Sequence, residues 1–340
     1  MKGFDCLAAL VFSGMVLCAV PGCIPGGDAA YCSVQGFTQG TSYSVTYQHP
    51  DQLNLKAEID SLLRVFDASL NTYDSTSLIS RINRNLSFEA DSLFQLVFRE
   101  AERIHELSGG AFDISLAPVI DAWGFGDGER LEVDTAMIDS MLAFVGMDGL
   151  TLEGGHIQKR DPRISMNVNA IAQGFAVDFL ADYLEGLGCR NYMVEVGGEI
   201  RTRGRNPGGQ FWRIGIDRPD YGNMWPGQEL QAIISMHNRS LATSGNYRKF
   251  YMKDGKRITH SIDPSTGFPK ESELLSVTIL CDDCMTADAL ATSCMVKGLE
   301  ASIDFIQHLD GVDAFLIYGD EFGAYQVWMS DELKHYIEKP

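Results

Sequence analysis

The sequence predicts an α+β fold with mixed, largely antiparallel sheets and packed helices. Three observations carry that expectation. Segments with period-2 alternation and segments with helical stripes both occur, and they do not follow a strict strand–helix–strand rhythm. Late in the chain, "DAFLIYG" and "YQVWM" read as strands after a long helical segment. The 340 residues are 45% hydrophobic and 21% charged, an ordinary globular balance in a length that suits one large domain or two small ones.

In chain order, "GTSYSVTYQH" from Gly40 alternates β-formers and reads as a strand. "LNLKAEIDSLLRVFDASL" places Leu55, Ile59, Leu62, Leu63, Phe66 and Leu70 on one helical stripe. "SLFQLVFREAERIHELSGG" is a second helix, stopped by Gly109 or Gly110. "MNVNAIAQGFAVD" reads as a strand, a tight loop and a helix start, and "AVDFLADYLEGLG" continues that helix to Gly188. "NYMVEVGGEIRTRG", "FWRIGID" and "LLSVTIL" read as strands, with Gly197 and Gly198 marking a bulge or a close backbone approach. "TADALATSCMVKGLEASIDFIQHL" reads as one long helix, followed by the strands "DAFLIYG" and "YQVWM".

The chain opens differently. "MKGFDCLAALVFSGMVLCAVPGC" has an apolar run from Leu7 to Val20, shorter than a comfortable membrane span and suited to a signal peptide over residues 1–22. "VPGC" resembles a lipobox, which implies a lipidated Cys23, a tether over 23–36 and an exported, membrane-anchored protein facing the periplasm. The remaining domain is expected over 37–340. Cleavage nearby without lipid, giving a soluble exported protein, is the other reading of the same residues.

Lysine and arginine total 27 against 46 aspartate and glutamate, a net charge of −19. That excludes sequence-independent nucleic-acid binding, which needs basic surface. A small anionic ligand stays admissible, because a bound metal can outweigh the global field. Of eight cysteines, Cys281 and Cys284 form a lone C-x-x-C. Without a second pair or a nearby histidine it is no zinc site; a local disulfide and two ordinary thiols both fit. No G-x-S-x-G elbow, H-E-x-x-H, Walker loop or G-x-G-x-x-G is present.

Candidate chemistry gathers at a few places. Asp288 and Thr292 lie four apart on a helix starting near Thr286, so both oxygens can face one spot. They are hard donors suited to Mg2+ with waters and a substrate phosphate. The same pair also fits an acid favoured by the helix dipole and a threonine bonding back to a carbonyl. Small residues Ala170, Ala172 and Gly174 would let backbone approach a ligand, with helix-start amides for phosphate oxygens. Trp123, in a glycine-rich context, serves either a planar ligand or a core. "THSIDPSTGFPK" is a turn that carries His260 and Asp263, with Asp263 expected to bond its own backbone.

The segments "GTSYSV", "LNTYDSTSLISRIN", "SGGAFDISLAPVIDAWGFG", "NAIAQGFAVD", "VEVGGEIRTRG", "ATSGNYRKFY", "HSIDPSTGFP" and "TADALAT", in this order from about Phe37 to the C-terminus, resemble the ApbE family of flavin transferases. The resemblance implies transfer of FMN from FAD to a threonine of a target flavoprotein, with Mg2+ as cofactor and AMP released. It assigns Asp288, Thr292 and the Ala170 carbonyl to the metal, and Gln39, Tyr73, Ala111, Phe112, Asp113, Asn167, Gln173 and Ile262 to the FAD site. It makes His260 the base that takes the threonine proton, a task that imidazole suits. It implies acceptor subunits of membrane redox complexes as partners. Asn169 and Gln173 depart from the glycine and lysine of the family loop, and Asn167 from its common aspartate. A flavin-binding lipoprotein without turnover and an FAD pyrophosphatase giving FMN and AMP are the competing functions.

Overall fold

A computed structural model describes residues 30–126, 130–220, 223, 227–246, 250–253, 256–320, 322 and 324–338. The expected signal peptide, Cys23 and the first part of the tether lie outside these residues. Strands β1 (Cys32–Thr38) and β2 (Thr41–Tyr47) precede helices α1 (Lys56–Leu70), α2 (Leu78–Asn83), α3 (Ser92–Ser108), α4 (Ala117–Ala122) and α5 (Thr135–Leu142). Next come β3 (Leu150–Glu153), β4 (His156–Lys159), α6 (Ala172–Gly186), β5 (Tyr192–Val196), β6 (Glu199–Arg203), β7 (Trp212–Asp217), β8 (Leu230–Met236), β9 (Ser240–Gly245), β10 (Phe250–Lys253) and β11 (Lys256–Thr259). The chain continues through β12 (Leu274–Cys281), α7 (Cys284–Lys297), α8 (Leu299–Gln307), β13 (Asp313–Gly319), β14 (Tyr325–Met329) and β15 (Ile337–Glu338).

The fold is α+β. The main sheet has the order β1-β2-β5-β6-β9-β12-β13-β14, and a smaller one the order β15-β8-β7. The ladders between these strands are antiparallel. Helices cover one face of the main sheet and the small sheet covers part of the other. Strand β12 shows why: Val277 and Ile279 pack with the helices, while Leu280 joins Ile214, Ile216 and Ile234 of the small sheet. Being covered on both faces, it reads as an apolar run rather than an alternation.

Several elements differ from the sequence expectation. Strand β1 begins at Cys32, inside the segment read as tether to residue 36; Tyr31, Cys32 and Val34 are buried. The Tyr31 hydroxyl donates to the Arg205 carbonyl at 2.8 Å, which fixes this start. The long helix after Thr286 is two helices, broken at Gly298, whose φ of 83° ends α7. Gly197 and Gly198 form neither bulge nor strand interior: with φ of 66° and 109° they are the two-residue turn between β5 and β6. Met166 is not in a strand, although α6 does start within the segment read as a helix start, at Ala172. Helix α3 ends at Gly109 in the left-handed conformation, as its sequence signal requires.

Helices α6 and α7 pack together at Gly174, whose missing side chain leaves room for α7. A methyl there would sit 2.3 Å from the Cys284 carbonyl oxygen and 2.8 Å from Asp288 Cβ. The sequence reading gave Gly174 to ligand approach; its closeness serves helix packing instead. Gly174→Ala is therefore expected to cost about 1–3 kcal/mol, read as a fall of several degrees in thermal midpoint. An unchanged midpoint would contradict this packing. Asp178, buried one turn on, accepts the Cys284 and Met285 N–H groups at 3.0 and 2.8 Å, and Asp283 caps the same end through Thr286 N–H. Burial raises the Asp178 carboxyl to about 6, against the pull of these amides and of Arg201.

Candidate active site

A cavity of about 780 Å³ opens between the starts of α6 and α7, the β5–β6 turn, β7, β9 and the turn after β11. Asp288 lies on the second turn of α7, buried, with Oδ2 accepting the Gly174 N–H at 3.1 Å. Burial pushes its carboxyl up to about 7, only partly offset by that one donor. Thr292 follows one helical turn later, and its hydroxyl shares a 3.2 Å hydrogen bond with the Ser244 hydroxyl of β9. Ala170 lies in the turn that leads into α6 and lines the same space.

The loop before α6 is tied down by its own asparagines. Asn167 accepts the Asn169 N–H at 2.9 Å, and Asn167 N–H donates to the Ile114 carbonyl at 2.7 Å. Asn169 donates through Nδ2 to the Tyr73 hydroxyl at 3.1 Å and accepts from Thr72 at 3.3 Å. The residue that departs from the family glycine thus holds Tyr73, whose side chain is otherwise exposed at the cavity mouth. Gln173 lies against the β5–β6 turn, its Nε2 2.5 Å from where a methyl on Gly197 would be.

Ala111, Phe112 and Asp113 form the wall ahead of α4. Asp113 accepts from Ser115 N–H and hydroxyl at 2.8 and 2.6 Å, and His105 Nδ1 stands 3.7 Å away. Burial raises its carboxyl despite those donors. His260 and Ile262 come from the turn after β11, which is closed by Lys270 N–H to the Ser261 carbonyl at 2.8 Å and Gly267 N–H to the Asp263 carbonyl at 2.7 Å. Asp263 also accepts Ser265 N–H at 2.9 Å, as its sequence position suggests. The His260 ring meets Phe125 edge-on at 6.1 Å.

The structure therefore brings His260, Tyr73, Ala111, Phe112, Asp113, Asn167, Ala170, Gln173, Ile262, Asp288 and Thr292 to one cavity. Gln39 is placed outside its lining, in the β1–β2 turn with φ of 50°; its buried Nε2 finds no partner among the described residues. Trp123 does not reach the cavity either: it is buried in a satellite core edge-on to Phe268, and its Nε1 donates to the Gly267 carbonyl at 2.8 Å, latching the turn that carries His260. Cys281 and Cys284 are separate buried thiols. The sequence reading missed Ser244 and Glu195, which lay within quoted family segments, and the lining residues Arg213, Gly215 and Asp217, which it read only as part of a strand.

The donor set fits a hard divalent cation. No group of three or more His, Cys, Asp or Glu that could hold a metal ion forms among the described residues. Asp288, a hydroxyl and a carbonyl are oxygen donors of the kind Mg2+ takes, with water and phosphate completing the shell. Arg213 is the lone lysine or arginine among the described lining residues, and it is engaged with Glu338 at 2.7 Å. A diphosphate entering beside Asp113, Glu195 and Asp288 would need a cation to offset this negative wall.

The ApbE family model matches residues 39–316. An FAD:protein FMN transferase of Vibrio cholerae is 36% identical over 332 residues, covering 95% of this chain and 97% of that protein. One of Haemophilus influenzae is 36% identical over 287 residues, covering 80% and 82%. Among solved structures, a flavin transferase ApbE from Vibrio cholerae superposes with a TM-score of 0.80 at 34% identity, covering 91% of this chain and 99% of the other. The apo flavinyl transferase ApbE of Pseudomonas stutzeri gives 0.79 at 30% identity, covering 89% and 96%.

Proposed function

Since the chain belongs to the ApbE family, we propose that it is an FAD:protein FMN transferase whose metal-dependent site is the cavity around Asp288. The observation that carries this reading is the buried Asp288 carboxylate beside Thr292, facing the cavity shared with His260 and forming no salt bridge among the described residues. Asp288, Thr292 and the Ala170 carbonyl would hold Mg2+, which supplies charge neutralisation at the FAD diphosphate. Tyr73, held by Asn169, offers its ring to the flavin system. The walls at Ala111–Asp113, Asn167, Gln173 and Ile262 orient the nucleotide, with Gln39 supporting from the β1–β2 turn.

His260 takes the proton from the incoming threonine hydroxyl. That oxygen attacks the FMN phosphorus, the bond to the AMP oxygen breaks, and AMP leaves. The product is a phosphoester-linked flavin on the acceptor; water in place of the hydroxyl would give free FMN and AMP. Acceptor subunits of membrane redox complexes fit this chemistry. So does an exported location with lipid on Cys23, which mass spectrometry of the mature N-terminal peptide tests directly.

The site reading is tested by titrating the protein with FAD while following flavin fluorescence, with Mg2+ or with chelator. Saturable binding that weakens at least about tenfold on chelation, or 1.4 kcal/mol, is expected. No flavin binding in either condition would overturn it.

A further inference from the structure

Strand β7 is the outer strand of the small sheet. The ladder on its other side shows which of its backbone groups are engaged. Ser235 of β8 donates its N–H to the Tyr336 carbonyl at 2.9 Å, on the β15 side. In a strand the N–H and C=O of one residue point one way, and those of the next residue point the other. Ser235 thus turns its backbone away from β7, and its partner Arg213 stands in a non-hydrogen-bonded pair. Ile214 and Ile216, opposite Ile234 and Ala232, carry the bonds to β8. The N–H and C=O groups of Arg213 and Gly215 therefore point to the outer edge, where no described strand pairs with them.

That edge faces the site. Arg213, Ile214, Gly215, Ile216 and Asp217 all line the cavity that contains His260, Asp288 and Thr292. A sheet face would present alternate residues; a consecutive run is what an edge presents. The β5–β6 turn lines the same cavity, and even a methyl on Gly198 would meet nothing within 4 Å.

We propose that the acceptor polypeptide binds as an extended segment added to the β7 edge, hydrogen-bonded to Arg213 and Gly215, and that this pairing carries its threonine hydroxyl into the cavity. The proposal rests on the transferase reading above and names how that site takes its protein substrate. Main-chain pairing of this kind binds a strand with little demand on its side chains. An added strand stands about 4.8 Å from its neighbour, and the edge it would join lines the same cavity as His260 and Asp288. Glu195 and Asp217 border the path, which disfavours acidic residues in the segment.

The test compares Arg213→Pro with Arg213→Ala. Both remove the side chain and its Glu338 contact. Only proline deletes the outward N–H, and it leaves the β8 ladder intact because that ladder does not use the group. The probe is a threonine-bearing acceptor domain that the wild-type protein flavinylates, with FAD affinity measured alongside. An acceptor kcat/KM at least tenfold lower in Arg213→Pro than in Arg213→Ala, at equal FAD affinity, is the expected result. Equal values in the two variants would overturn the strand pairing and leave the transferase reading standing. Failure of the wild-type protein to label any acceptor would overturn both.

Should Arg213→Pro not fold, hydrogen exchange on the wild-type protein decides. Slowed exchange at the Arg213 and Gly215 amides on adding the acceptor supports the proposal, and unchanged exchange overturns it. Protection that rises with protein concentration in the absence of acceptor would assign the edge to a second copy, and would overturn it too.

Discussion

Asp288→Asn is expected to lower metal-dependent FMN transfer by at least about 10²–10³-fold, the scale of a lost group that acts on transition-state charge. The amide keeps an oxygen for the Gly174 N–H, which Asp288 now accepts at 3.1 Å, so the helix pair stays together. Stability gives an independent sign. Burial raises the folded carboxyl from 3.8 to about 7, so the folded state holds the proton more tightly than the unfolded one. The stability this contributes is fully present below pH 3.8 and is lost as pH rises through about 7. Without metal, the wild-type protein should therefore lose stability relative to Asp288→Asn across that window, and run parallel to it above. Denaturant titrations at several pH values, in chelator, check this; a gap that widens toward low pH would contradict the burial argument. Added Mg2+ should stabilise the wild-type protein and leave the variant unmoved.

His260→Ala is expected to bind FAD with little change while transfer falls by about 10²–10⁴-fold, the range for a positioned general base. The ring's packing partner Phe125 belongs to a small satellite core that Trp123 and Phe268 also hold, so the turn should persist without the imidazole. Stopped assays of acceptor labelling, with FAD affinity measured in parallel, separate the two quantities. Wild-type transfer in this variant would remove His260 from the mechanism.

The fold class was legible because its signals are local. Helical stripes such as Ile59, Leu63 and Phe66 end buried in α1, and the alternation of "TSYSVTY" becomes β2. What escaped was set by backbone freedom or by distant partners. Gly298 falls within a segment read as one long helix, yet its φ of 83° breaks it. Gly174 looked like room for a ligand, and the neighbour that fills the room is Cys284, far along the chain. At the site, chemistry-bearing residues stood out where several fell in one short motif, as with Asp288 and Thr292. Ser244 and the β7 edge did not, because a hydroxyl on a strand and an unpaired backbone carry no sequence signature. Asn169 is the instructive middle case: its departure from the expected loop was visible, but its hydrogen bond to Tyr73 needed coordinates.

The central claim is that this cavity moves FMN from FAD to protein. The most direct test is the intact mass of a threonine-bearing acceptor domain after incubation with the protein, FAD and Mg2+, with AMP measured in the same tube. A mass gain of one FMN with one AMP released per label, both lost on chelation, is the predicted result. FAD recovered intact, or FMN and AMP formed with the acceptor unlabelled, would contradict it.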